Sequence, residues 1–514
     1  MQVFETILML LLGATVLSAV ARRLSIPYPT LLAVGGALVA LLPNAPRLDL
    51  PPDLILALFV APILLDAAYD ASLRDLRAAW VAVASLVLVA VSLTTAAVAV
   101  AARVLFPDMP WPAAIALGAL LAPPDAVAAI AVLRELNPPH RVRMVLEGES
   151  LLNDSTALLI YKLAIGAFAA GSFSLAAAVP TFAVVVIGSV VVGWMLGRII
   201  GRLIGLFSDA PSSVIFQFVT TFAVWLVAEH FGLSGVVTIV VMAVTVAQDS
   251  AARMPAHLRV PTYAIWQSAT VVLNVMAFTL IGLQIGPILD TTGGQGIPYV
   301  LGALKLLAVV VVVRLLWVLT HYALVQLWDR LFGAAPSSPQ VLKPPTLKGA
   351  VVVGWAGMRG IVTLAAALAL PEGFPYRDFI QLTAFVVVLG TLVLHGLTLQ
   401  PLLHLLRFPQ EKMIARELTK AREAVLRAGL AKLEGEQTDA AERVRADYLN
   451  TLALAQQGAD PRSTADNALR RQVIAAARAE LDALRNAGTI GDDAYRRVEE
   501  ELDWLELSTG PQQP

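Results

Sequence analysis

Two stretches carry acids inside otherwise apolar sequence: Pro123-Pro124-Asp125, and Glu147-Gly148-Glu149-Ser150-Leu151-Leu152-Asn153-Asp154. A carboxylate within an apolar span is costly, and such residues mark ion or proton paths. Neither Pro123 nor Pro124 has an N–H to donate, so the pair must interrupt its helix beside Asp125. At membrane depth the freed backbone groups survive only against protein or a water-filled cavity. In the second stretch Ser150 and Asp154 are four apart and share a helix face, while Glu149 and Asn153 form the adjacent stripe. One face thus presents a hydroxyl and a carboxylate, which suits a hard, oxygen-seeking cation. The other presents Glu149 braced by an amide. Asp125 adds a second carboxylate, with carbonyls freed by Pro123 and Pro124. The plainer alternative is that these acids only pair with intramembrane arginines.

Two such arginines exist. Arg314, within Val310-Val311-Val312-Val313-Arg314-Leu315-Leu316-Trp317, keeps its proton at any ordinary pH and needs an anionic partner when buried. Glu149 is the expected partner, which would make the pair a structural strut. Arg359 lies in Gly354-Trp355-Ala356-Gly357-Met358-Arg359-Gly360, a glycine-rich interruption. There it would compensate half-helix ends and repel cations from an empty site, with a purely structural role equally open. Asp66 and Asp70, at the end of another apolar segment, are candidates for lining an ion path, against plain solvation of a helix end. Lys162 lies two turns beyond Asp154, where its stem can snorkel to the interface. Of six histidines, His395 alone sits where it could act as a pH-sensitive group. No histidine–carboxylate metal motif, nucleotide-binding glycine loop or nucleophile elbow occurs in a fitting context. The expectation is a protein that is not an enzyme and needs no nucleotide or metal cofactor.

The elements that hold these residues follow from composition. The chain has 514 residues, 58% hydrophobic and 15% charged, with a mean hydropathy of +0.74. Soluble proteins carry about 25% charge, so this is a polytopic membrane protein. A net charge of -1 gives no pull toward nucleic acid, and the absence of cysteine removes disulfides and thiolate metal sites. A span needs about 20 apolar residues. Thirteen segments qualify, two of them short: 3–21, 30–43, 53–70, 79–103, 111–134, 142–169, 177–200, 212–230, 234–249, 262–287, 298–325, 346–370 and 379–405. Arg22 and Arg23 follow the first one, the reverse of a secretory signal, so it is read as an uncleaved span.

Basic residues alternate between connections. One set holds Arg22, Arg23; Arg74, Arg77; Arg134, Arg141, Arg143; Arg198, Arg202; Arg253, Arg259; and Arg330, Lys343, Lys348, whereas the other holds few, Arg47 and Arg377 among them. The positive-inside rule makes the first set cytoplasmic, with the amino terminus outside and the carboxyl terminus inside. After Pro409 roughly a third of the residues are charged, against about a tenth before it. Residues 1–409 are therefore read as a membrane domain and 410–514 as a cytoplasmic helical tail. Tail helices are expected over 411–436, 439–457, 463–487 and 492–507, with Gly488 as a C-cap and Asp492-Asp493 opening the last. The tail is either a module for assembly or stability, or one that binds a regulatory ligand or protein. An odd span count permits two inverted repeats joined by the seventh span. The Pro-Pro and glycine-rich interruptions then fall at corresponding positions, a pointer to a secondary transporter.

Leu121-Ala122-Pro123-Pro124-Asp125-Ala126-Val127-Ala128 and the Gly148–Asp154 run together resemble the sodium/proton exchanger family, in particular its bacterial cation:proton antiporter-1 members. Ala277-Phe278-Thr279-Leu280-Ile281-Gly282-Leu283-Gln284 and Gly357-Met358-Arg359-Gly360-Ile361-Val362 are similar to further family signatures, so the likeness covers residues 1–409. It implies a homodimer in the cell (inner) membrane, each protomer with a dimerisation half and a six-helix core containing two crossing, broken helices. By matched position it makes Asp154 the ion- and proton-binding carboxylate and Asn153 its partner, with Asp125 and Ser150 as further ligands. Glu149 and Arg314 match a helix-bridging pair. Asn153, where other members have a second aspartate, matches the electroneutral branch. The family often has Thr-Asp-Pro where this chain has Pro124-Asp125-Ala126, which removes a hydroxyl near the site.

The resulting expectation is an all-α membrane protein that exchanges Na+ or Li+ for H+, with cation and proton competing for Asp154. Desolvation and the nearby Asp125 carboxylate are expected to favour its neutral form. A K+/H+ antiporter of the same fold and a cation channel with the acids as a selectivity ring are the rivals.

Overall fold

The computed structural model describes residues 2–24, 26–43, 51–133, 138–170, 175–250, 254–291, 296–332, 346–408, 413–457, 465–487, 489 and 491–509. Arg47, Arg134, Arg253, Lys343, Pro409 and Gly488, all used in the sequence reading, lie outside them. The described residues are helical throughout, with no strand among them. By contacts the chain divides into two units, Met1–Phe408 and Pro409–Pro514.

In the first unit each apolar sequence segment falls on a helix or on a pair of half-helices. Among the described residues eight helices are long and apolar enough to cross a membrane unaided, and Tyr28–Ala40, Trp111–Leu121 and Gly235–Gln248 are shorter apolar helices. Many large apolar side chains face outward, among them Leu8 and Leu12 on Gln2–Leu24 and Val184, Ile187 and Trp194 on Leu175–Ile204. In water such a surface would drive association; in lipid it is the ordinary outer face. Trp111–Leu121 differs: with no polar face in its sequence, it is buried over most of its circumference by neighbours.

Packing relies on small residues, since lipid offers no hydrophobic drive between helices. Tyr28–Ala40 crosses Ala256–Leu283 at Gly36 and Gly282, and a Cβ at either would overlap the other's backbone. Two spans are interrupted. Trp111–Leu121 stops before Pro123-Pro124, and helix resumes at Ala126–Leu133. Leu347–Trp355 stops in the glycine-rich run and helix resumes at Ile361–Leu368. The acid-bearing helix is His140–Ala170, and Arg314 lies on Gly296–Phe332.

The second unit consists of two helical pairs, Met413–Lys432 with Asp439–Gln456 and Ala465–Asn486 with Asp492–Thr509. Thr438 caps its helix by accepting from the Ala441 N–H, and Arg478 bridges the later pair to Asp503 and Glu506.

Candidate cation site

The two interruptions meet. The Asp125 N–H donates to the Met358 carbonyl at 2.6 Å, joining one break to the other. Arg359, with no exposed surface, reaches back across the junction. Its Nε donates to the Leu121 carbonyl at 3.1 Å and its Nη2 to the Ala122 carbonyl at 3.5 Å, while Nη1 holds the Gly357 carbonyl. Leu121 and Ala122 are the C-terminal end of the first half-helix, where carbonyls lack intrahelical donors and the dipole is negative. The guanidinium therefore answers both the unpaired carbonyls and the half-helix dipole. Its backbone N–H donates to Thr391 Oγ1 at 3.0 Å, fixing the second break to Arg377–Leu406.

Gly360 makes the approach possible. Its backbone is extended, with φ of -137°, and a Cβ there would overlap the Asp125 carboxylate. Any side chain at this position would displace the acid.

On the acid-bearing helix the two stripes do different work. Glu149 and Arg314 are 1% and 3% exposed and form a two-pronged pair, Nη1 to Oε1 at 2.6 Å and Nη2 to Oε2 at 2.9 Å. Arg314 also donates to the carbonyls of Val353 at 3.1 Å and Gly354 at 3.2 Å, near the end of the half-helix Leu347–Trp355. Asn153 does not brace Glu149, contrary to the sequence reading. Its Nδ2 instead donates to the Pro124 carbonyl at 3.0 Å, an acceptor freed by the broken helix, while both Glu149 oxygens are taken by Arg314. Asn153 Oδ1 is buried without a hydrogen-bond partner among the described residues.

Ser150 and Asp154 face a cavity of about 40 Å³ together with Pro124, Asp125, Asn274 and Thr363. One water needs only about 10–15 Å³ of such space, so a partly hydrated ion fits. Val60, Ile63 and Leu64 of the helix Pro52–Asp70 form an apolar wall. No lysine, arginine or histidine lines it among the described residues. Two carboxylates, hydroxyls and an amide around a small, mostly apolar chamber make an oxygen-donor set for a hard cation, and Asp154 can alternatively hold a proton.

Asn274 and Thr363 were not singled out from the sequence. Asn274 had a signal, an amide within Val271-Val272-Leu273-Asn274-Val275-Met276, of the kind that marks polar work between membrane helices. Thr363 had none beyond its place just past the second break. Asp66 is not at this cavity; it lines a second one with Tyr69 and Arg259. Asp70 is exposed. Lys162 pairs with Glu229 at 2.9 Å at an exposed position. His395 is 1% exposed, stands against the Trp355 ring at 5.0 Å between centroids, and does not line the cavity. No group of three or more histidine, cysteine, aspartate or glutamate side chains is placed to hold a metal ion among the described residues.

The fold and site define a class: a multi-pass helical membrane protein in which two interrupted helices meet beside a buried, oxygen-lined chamber. Residues 7–405 match the family described as sodium/hydrogen exchanger, transmembrane. The chain belongs to that family. It is 32% identical over 458 residues to a sodium, potassium, lithium and rubidium/H(+) antiporter of Bacillus pumilus, a match spanning 84% of this chain and 66% of that protein. It is 30% identical over 531 residues to an uncharacterized Na(+)/H(+) exchanger of Mycobacterium tuberculosis, covering 98% of this chain and 95% of the relative. Its structure resembles that of the sodium proton antiporter MjNhaP1 from Methanocaldococcus jannaschii, with a TM-score of 0.61 and 18% identity over 79% of this chain and 99% of that one. That likeness shows a shared fold.

Proposed function

We propose that this protein is a secondary active Na+(Li+)/H+ antiporter in which cation and proton compete for Asp154. The observation that carries the reading is the junction of two broken helices at a chamber that holds Asp154, Asp125 and Ser150 and, among the described residues, no basic side chain. Asp154 is the competing carboxylate; Ser150 and Asp125 are further ligands; Asn153 holds the break through the Pro124 carbonyl. An unpaired, desolvated carboxylate is costly to carry across a low-dielectric path, whereas the same group bearing a proton or a cation is not. Only loaded states exchange sides, and that couples the two fluxes.

Charge balance gives the stoichiometry. Asp154 with one monovalent cation and Asp154 with one proton have the same net charge, and Asn153 beside it never titrates. Exchange is then one for one, and the membrane potential, worth about 2.3 kcal/mol per charge per 100 mV, does no work on the cycle. The cycle needs no nucleotide or resident metal. We read the membrane domain, residues 1–409, as thirteen spans in two inverted repeats, working as a homodimer in the cell membrane with the amino terminus outside. Residues 410–514 form a cytoplasmic tail.

The test is reconstitution into liposomes with a lumenal pH dye and pulses of Na+, Li+, K+ and Rb+, the last two because they stand in the name of the Bacillus pumilus relative. Alkalinisation or acidification driven by Na+ or Li+, unaffected by valinomycin-clamped voltage, is the expected result. A current that follows voltage would instead make the protein a channel, and pH changes driven by K+ alone would make it a K+/H+ antiporter.

A further inference from the structure

The helix Pro52–Asp70 walls two cavities. Val60, Ile63 and Leu64 face the Asp154 chamber, and Leu65, Asp66 and Tyr69 face the other. Asp66 lies three residues beyond Ile63, a rise of about 4.5 Å along the helix. The second cavity, about 30 Å³, is lined further by Arg259, Thr262, Tyr263 and Trp266. Thr262 is only 7% exposed, and its Oγ1 has no hydrogen-bond partner among the described residues. Buried hydroxyls are ordinarily hydrogen-bonded, so this one, lining a cavity large enough for a small ligand, marks a place for one.

The lining specifies what kind. Carboxylate, hydroxyl and phenol oxygens are donors for hard cations, as oxygen ligands are for such ions generally. Trp266 lines the cavity with its Nε1–H taken by Gln217 Oε1 at 2.9 Å and one ring face stacked on Phe218 at 4.2 Å between centroids, and aromatic rings such as those of Tyr69, Tyr263 and Trp266 attract positive charge. The Tyr69 and Tyr263 rings meet edge to face at 6.0 Å, which holds that aromatic wall in place. Arg259 shares the cavity but is itself exposed, so it is a tethered rival that an arriving cation meets.

We propose that this cavity is a staging site for the transported monovalent cation, with Asp66 and Thr262 as oxygen ligands, about one helical turn from the Asp154 chamber. The inference rests on the antiport reading above. It explains why a second acid and an unpartnered hydroxyl stand on either side of one small space next to the path.

Thr262→Val in the full-length, reconstituted protein tests it. The Thr262 hydroxyl makes no hydrogen bond among the described residues, so at a merely structural position its loss leaves the cation KM where it was. At a staging site the apparent KM rises about threefold to tenfold while the maximal rate moves less than twofold, and Thr262→Ser restores the wild-type KM. An unchanged KM in a folded Thr262→Val protein overturns the proposal. Crystals of the intact protein equilibrated with Tl+ supply a second readout. An anomalous peak in the second cavity is expected, persisting in Asp154→Asn and lost in Asp66→Asn. Absence of that peak overturns the staging site whatever the Asp154 chamber shows. Tl+ in the second cavity of a wild-type protein inert in every exchange assay would count against the antiport reading while leaving a cation site in place.

Discussion

Removing both members of the Glu149–Arg314 pair should destabilise the protein by less than the sum of the two single removals. Glu149→Ala leaves a guanidinium at 3% exposure held, among the described residues, by the Val353 and Gly354 carbonyls alone. Breaking a buried ion pair from one side costs about 3–5 kcal/mol. Arg314→Ala leaves a carboxylate at 1% exposure and also strips both carbonyls of their donor. An unsatisfied buried acceptor costs about 1–3 kcal/mol and two are left, so this single change should cost about 5–11 kcal/mol. The double change removes the lone charge and retains only the carbonyl losses, about 2–6 kcal/mol, with the packing losses that the singles share. The double therefore falls short of the summed singles by the two lone-charge costs, about 6–10 kcal/mol, well above the few tenths expected of independent sites. Thermal unfolding in detergent, followed by size-exclusion chromatography, reads this as a ranking. Arg314→Ala should melt lowest, and the double variant should melt no lower than Arg314→Ala. Additive losses would show that the two charges are stabilised separately and that the strut is not one.

Four further outcomes follow. Asp154→Asn should melt near the wild type and show no cation-driven pH change in liposomes; exchange above background from such a protein would sink the carboxylate mechanism. Gly360→Ala should lower the exchange rate tenfold or more, since its Cβ must displace the Asp125 carboxylate; normal rates at normal KM would mean that the close approach is irrelevant to transport. Deleting residues 411–514 should leave a membrane-inserted protein that still exchanges, because every lining residue of the Asp154 chamber precedes Phe408; a folded but inert truncation would refute the modular division. Competition sets the pH dependence: well below the site's pKa, each unit of acidification should raise the apparent cation KM about tenfold, one proton displacing one cation. With equal pH on both sides, a KM flat from mildly acidic to alkaline conditions, with only the maximal rate moving, would falsify simple competition and indicate a separate pH gate.

What the sequence determined by itself was whatever depends on local chemistry. Two prolines without N–H groups break a helix wherever they fall, and a run of glycines with one arginine does the same, so both interruptions were legible at Pro123-Pro124 and Gly354–Gly360. Desolvation cost singles out Asp154 and Asp125 in apolar sequence, and the four-residue spacing puts Ser150 on the Asp154 face, where the chamber lies. The change in charge density after Pro409 falls where the contacts divide the chain. Helical periodicity names a face, however, and never the neighbour that the face meets. For that reason Asn153 read as a brace for Glu149, although a carbonyl from another broken helix takes its amide. Asp66 likewise read as a candidate for lining an ion path, and nothing in its spacing said that the cavity it lines is not the Asp154 chamber. Only the crossing of the two breaks brings the Arg359 guanidinium to Leu121 and Ala122, 238 and 237 residues away, and only that crossing makes Gly360 obligatory beside Asp125. Asn274 and Thr363 enter the chamber for the same reason: their helices are brought there by close packing between distant segments, a long-range energy that no window of sequence contains.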